Sequence, residues 1–251
     1  MAGRGIQLAA HSGRAALLAG APLFQRLPHH ALEELAAATR ESRVGSKQRL
    51  FCEGEPAREV TLLTAGRVKI TQLTSSGDVV IQRISGPGEL VSGLSLAVAS
   101  VHSVTPVALE PCDLLSWESR QFDDFADRYP RLQRNALRIL AGRVRDLEER
   151  YSELATQRVP VRLARTLLRL MGQIGRPRDG AVVIALSREE LGQMIGATLF
   201  SVSRILSQWE ARGFLKGGRE AVAVKDPAGL VSVAEDDPLD DASALRTART
   251  H

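Results

Sequence analysis

The chain has 251 residues, 44% hydrophobic and 25% charged, with a formal net charge of +4. This is the composition of a globular protein with room for two cores. No apolar run approaches a membrane span and no long apolar signal core follows the N-terminus, so a cytoplasmic protein with no membrane partner is expected. Cys52 and Cys112 make no CxxC motif; they are too few for a cysteine-only iron–sulfur or zinc site and fit a reducing compartment.

Residues 1–22 are small and weakly patterned, and a flexible N-terminus is expected there. Leu23, Phe24, Leu27, Leu32 and Leu35 suggest short helices, the first closed by Pro28. From Val44 onward short apolar runs alternate with turn residues. The runs at 50–51, 60–63, 68–73 and 79–84 are separated by Glu53-Gly54-Glu55-Pro56, Ala65-Gly66 and Ser75-Ser76-Gly77-Asp78, and Ser85-Gly86-Pro87-Gly88 follows the last. Further strands are read at 104–109 and 113–117. Regularly spaced short strands indicate an antiparallel sandwich or barrel over residues 23–128, with Ser76-Gly77-Asp78 as its clearest hairpin. Both cysteines fall in strand patterns and read as core residues.

The period changes near Tyr129-Pro130. Leu137, Leu140, Val144, Leu147, Tyr151 and Leu154 recur at steps of three and four, the seam of a coiled coil. A helix over roughly 130–157, within a dimerisation segment at 129–158, carries it and is about 42 Å long. The narrow stripe suits one partner helix, so a homodimer is expected, with these six residues at its interface. Pro160 then marks a hinge. Val161, Ala164, Leu167, Leu168 and Met171 make another helix, 175–180 a loop, and 182–186 a strand.

Ser187 followed by Glu190 reads as a capping box. Leu191, Met194 and Ile195 give that helix an apolar face, and Gly196 ends it. Thr198 caps a second helix with Val202, Ile205, Leu206 and Trp209 facing inward. Two short helices around a glycine turn form a helix-turn-helix, whose second helix enters the major groove of DNA. Gly192 falls where the helices cross most closely. Gly213 stops the second helix, and Lys216-Gly217-Gly218-Arg219 reads as a hairpin wing. Between residues 158 and 225 twelve basic residues face five acidic ones, a net +7 on a chain whose total is +4. Such concentration suits a phosphate-binding module. Thr198, Phe200, Ser201, Ser203 and Arg204 are the candidates for the groove, with Arg188, Lys216 and Arg219 as phosphate partners. Residues 159–228 thus make one domain, and 229–251 read as an acidic flexible tail.

An α+β chain with an antiparallel β-roll (jelly roll), a long helix and a C-terminal winged helix-turn-helix resembles the Crp/Fnr family of dimeric transcription regulators. The resemblance covers residues 23–228. It is carried by Phe51-x-Glu53-Gly54-Glu55, Gly66-Arg67-Val68, Gly77 and Pro87-Gly88-Glu89-Leu90 in the roll. In the C-terminal domain it is carried by Arg162-Leu163-Ala164-x-x-Leu167-Leu168 and Leu186-Ser187-Arg188-Glu189-Glu190-Leu191. It implies a homodimer on double-stranded DNA, at an inverted repeat, with RNA polymerase as a further partner. An effector bound between roll and long helix would rotate the DNA-binding domains.

The resemblance places the effector pocket at Glu89, Leu90, Ser92, Leu94, His102, Ser103, Leu147 and Glu148. Cyclic-AMP-binding members offer Gly-Glu-Leu to the ribose, Arg-Ser to the phosphate and Thr-Ser to adenine. Here these stretches read Ser92-Gly93-Leu94, His102-Ser103 and Leu147-Glu148. Without the guanidinium a cyclic phosphate loses its natural partner. The effector is therefore expected to be something other than cAMP, or absent. An iron–sulfur cluster is unsupported, and haem on His29, His30 or His102 is the alternative, a gas or redox sensor. Members commonly place an acidic residue and an arginine four apart on the recognition helix; here those positions are Phe200 and Arg204. Nucleophile–base pairs and paired carboxylates stand in no convincing positions, so an enzyme is not expected. The remaining rival is a dimeric scaffold with little DNA binding, against which the +7 argues.

Overall fold

A computed structural model describes residues 13–92, 101–218 and 220–235. The chain divides into two compact units between Asp146 and Leu147. The first begins with α1 (residues 13–20), a 3-10 turn (Pro22–Phe24) and α2 (His29–Ala37). Six strands follow: β1 (Arg40–Val44), β2 (Glu59–Ala65), β3 (Val68–Leu73), β4 (Val79–Ser85), β5 (Thr105–Ala108) and β6 (Cys112–Glu118). They make two three-stranded antiparallel sheets, ordered β1–β6–β2 and β4–β3–β5. The 74–78 turn joins β3 to β4 as the sequence predicts, closed by the Thr74 amide on the Asp78 carbonyl at 2.9 Å.

Alternation along the strands sorts the two faces of the first sheet. Leu63, Cys112 and Leu114 meet Val68, Ile70 and Ala108 between the sheets. Val60, Leu62, Leu115 and Trp117 face outward onto α1, α2, α3 (Ser119–Arg128) and the start of α4 (Pro130–Thr156). The Trp117 indole lies 5.5 Å from both Phe24 and Phe122 and donates to the Leu35 carbonyl at 2.9 Å. Asn135 is buried and its amide reaches the carbonyls of Leu23 and Gln25, holding α4 to the 3-10 turn.

Three expectations need correction here. Residues 13–22 are not a loose extension: Ala15, Leu18 and Ala21, at three-residue steps, pack into the helix-facing core. Small residues on a short helix leave little hydrophobic signal, yet they fit closely. Cys112 is buried, but Cys52 is partly exposed and lies outside the strands. The run at 50–51 also forms no strand; its leucine packs at the edge of the core and its phenylalanine stacks on His102.

The second unit follows α4 with α5 (Val159–Ile174), β7 (Arg176–Arg178), β8 (Ala181–Ile184), α6 (Arg188–Ile195) and α7 (Leu199–Ala211). Then come β9 (Leu215–Gly217), β10 (Val222–Val224) and α8 (Pro227–Glu235). Its antiparallel sheet runs β7–β8–β10–β9, so part of the expected 175–180 loop is a strand. Residues 229–235, expected in a flexible tail, belong to α8. Leu230 and Ala234 of α8 are buried, and the Arg165 guanidinium donates twice to the Ala234 carbonyl, at 3.2 and 3.1 Å. Among the described residues no helix is long and apolar enough to cross a membrane.

Candidate nucleic-acid interface and effector pocket

Helix α6 starts as its sequence dictates. The Ser187 hydroxyl accepts from the Glu190 amide at 3.2 Å, and Glu190 accepts from the Ser187 amide at 2.8 Å. This satisfies two donors that a helix start would leave open. Gly196 closes the helix in the left-handed conformation, φ +63°, where a side chain would strain the backbone. The Ala197 amide returns to the Gly192 carbonyl at 3.0 Å. A Cβ on Gly192 would stand 2.6 Å from the Ala197 carbonyl oxygen, so the turn closes only over a glycine. The Thr198 hydroxyl then accepts from the Ser201 amide at 3.2 Å and fixes the first turn of α7.

With Val202, Ile205, Leu206 and Trp209 buried, the opposite face of α7 turns to solvent. Phe200 is 84% exposed, Thr198 and Arg204 are exposed, and Ser201 and Ser203 are half-buried. The wing forms as an antiparallel pair, Gly217 opposite Val222, and Lys216 points outward on it. Arg188 is half-buried beside this hairpin; a Cβ built on Gly217 would come within 2.8 Å of its Nη2. The structure therefore assembles Arg188, Thr198, Phe200, Ser201, Ser203, Arg204 and Lys216 on α6, α7 and the wing. Arg219 lies outside the described residues.

Charge counting credits this surface with too much. Arg162 donates to the carbonyls of Ile195 and Gln157, at 3.2 and 2.7 Å, and so caps the end of α6. Arg165 is spent on α8, and Arg169 makes a two-pronged pair with Glu153 at 2.6 and 3.1 Å. These three hold the domain together. Only tertiary contacts separate them from the cations that face outward.

Two of the expected effector residues share a cavity within the roll. Ser92 and His102 line a cavity of about 260 Å³ in the roll, together with Arg58, Thr61 and Ser116. Three of its hydroxyls are engaged: Thr61 and Ser116 share a hydrogen bond at 3.3 Å, and Ser92 donates to the Glu59 carbonyl at 2.9 Å. The His102 ring stacks on Phe51, centroids 3.7 Å apart. Burial holds its imidazole below the ordinary pKa, with Glu55 pulling the other way. Leu90 is buried and packs in the helix-facing core. Its carbonyl accepts from Arg143 of α4 at 3.0 Å. Burial lowers the Arg143 pKa, opposed by Glu89, which itself pairs with Arg83 at 3.3 Å. Ser103, Leu147 and Glu148 are exposed, and Leu94 lies outside the described residues. The histidines do not converge either. His29 pairs with Glu33 and His30 lies against Tyr129, both on α2, outside the sheet whose other face His102 neighbours.

Residues 41–129 match the model of the cyclic nucleotide-binding domain, and residues 161–233 that of the Crp-like helix-turn-helix domain. The chain belongs to the Crp/Fnr family. Over 220 residues this Crp/Fnr chain is 27% identical to the CRP-like cAMP-activated global transcriptional regulator of Mycobacterium tuberculosis, covering 84% of this chain and 95% of that one. It is 26% identical over 188 residues to the transcriptional activator protein anr of Pseudomonas aeruginosa, covering 74% and 76%. Among solved structures, the c-di-GMP-responsive global regulator CLP of Xanthomonas campestris shares the fold, with a TM-score of 0.71 at 21% identity over 78% of this chain and 99% of that one. As a Crp/Fnr protein the chain is a DNA-binding transcription regulator, not an enzyme.

Proposed function

We propose that the chain acts as a homodimer that joins through α4 and binds an inverted repeat in double-stranded DNA, under an effector other than cAMP or under none. The observation that carries the dimer is the exposure of the seam. Leu137, Leu140, Val144, Leu147, Tyr151 and Leu154 all face solvent in the single chain, Leu137 at 66% and Tyr151 at 76%. Six large apolar side chains in one row are an interface awaiting its partner. A two-fold dimer presents two copies of α7, which enter successive major grooves about 34 Å apart, hence the repeat. In this reading RNA polymerase is the further partner and the setting is cytoplasmic. The scaffold alternative loses ground to the capped, outward-facing α7.

The effector reading rests on His102. Where the resemblance expects a guanidinium for the cyclic phosphate, this ring is stacked on Phe51 and burial lowers its pKa, which disfavours a cation there. A charge-assisted contact contributes about 1.5–3 kcal/mol, so its loss weakens cAMP binding by at least an order of magnitude. The relative from Mycobacterium tuberculosis is named as cAMP-activated; the same response is not expected here. Selection from random-sequence duplexes should recover an inverted repeat, and calorimetry should show no submicromolar cAMP binding. A half-site bound alone, or tight cAMP binding, would overturn the corresponding part.

A further inference from the structure

We infer that Phe200 is a specificity-determining residue whose ring packs against the 5-methyl group of a thymine in the major groove. The inference rests on the DNA-binding reading of α7 and names the base that one of its side chains selects. Phe200 is the most exposed large hydrophobic residue among those described, and no ring or cation partner covers it there. Leu199 beside it is 46% exposed. The first turn that carries both is fixed by the Thr198 cap, so the ring is held where residues of a recognition helix meet base edges.

Chemistry then selects the base. A phenyl ring offers no hydrogen bond, and against the groove edges of guanine, adenine or cytosine it would cover donors or acceptors without replacing their water. Thymine alone presents a methyl group in the major groove. Arg204 stands on the same face, four residues on and about 6 Å along the axis. That is less than two base-pair rises of 3.4 Å, so the two side chains address neighbouring positions of one half-site. The guanidinium of Arg204 makes no ion pair or hydrogen bond among the described residues, and Lys216 is exposed on the wing. An aromatic ring on the same helix face as the Arg204 cation and beside the Thr198 and Ser201 hydroxyls suits a duplex better than an apolar protein surface.

The test uses the full chain and its selected operator. Each thymine is replaced singly by uracil, which removes only the methyl group. At one thymine per half-site, uracil should weaken wild-type binding about four-fold, the factor expected for one lost methyl contact. Phe200→Ala should bind the thymine and uracil duplexes alike, whereas Phe200→Leu should keep part of the difference. Indifference of the wild type to every such replacement would overturn the inference, as would a methyl dependence that survives in Phe200→Ala. If no duplex is selected at all, the DNA-binding reading fails, and the two failures are thereby told apart.

Discussion

The α6–α7 motif and the cavity of the roll use the same small polar residues in opposite ways. In the motif every decisive contact is local: Ser187 with Glu190, Gly192 with Ala197, Thr198 with Ser201. In the roll Thr61 meets Ser116, and Trp117 reaches Leu35 across 82 residues. Local contacts build a stiff platform that leaves Phe200, Arg204 and Lys216 free to face outward. Tertiary contacts turn Thr61, Ser116 and Ser92 inward, where each is engaged by a residue far along the chain. A surface for a large polyanion can thus be written in thirty consecutive residues, while a small-molecule cavity is assembled from distant ones.

The largest expected effect comes from the helix between these regions. Leu140→Lys with Leu147→Lys places like charges along the seam and should convert the dimer to monomers in light scattering. With the two α7 helices no longer joined, operator affinity should fall by roughly two to four orders of magnitude. A double variant that stays dimeric would move the interface off α4.

Within the local motif, Arg204 and Lys216 should separate base reading from phosphate binding. Arg204→Ala should cost about 1–3 kcal/mol per half-site and relax preference at one position. Lys216→Ala should weaken all sequences alike and reduce the salt slope by about one per half-site. Titration of both variants against operator and scrambled duplex, at several salt concentrations, checks the split. An unchanged sequence preference in Arg204→Ala would leave that arginine as a phosphate partner.

The same distinction explains what could be read from the sequence. Caps, the turn glycines, the apolar face of α7 and the 74–78 hairpin all stand where spacing predicts them, because each depends on neighbours a few residues away. Arg162, Arg165 and Arg169 look like a phosphate surface in the sequence, yet they bind Ile195, Ala234 and Glu153. Leu90, which follows a Pro-Gly turn in the sequence, is buried among residues of α1, α2 and β6 that no local motif points to. Ser92 and His102 reach the cavity, but through the path of the roll and not through any motif of their own.

The smallest effect tests whether the cavity's histidine is held as the geometry implies. Burial lowers the His102 pKa in the folded chain below the ordinary value near 6.5, with Glu55 opposing it; Arg58 and Glu59 are the other charged groups lining the cavity. A lowered pKa means that the folded state takes up this proton less readily than the unfolded one. Stability from His102 is therefore complete above pH 6.5 and declines as pH falls from there through the folded pKa. His102→Phe keeps a ring to stack on Phe51 and removes the titration. Urea unfolding at pH 7.5 and 5.5 should show the wild type losing more stability than the variant over that interval. Carboxylates and other histidines titrate in both proteins, so the difference between the two slopes isolates His102. Equal slopes would mean that this imidazole is as freely protonated in the folded roll as in the unfolded chain.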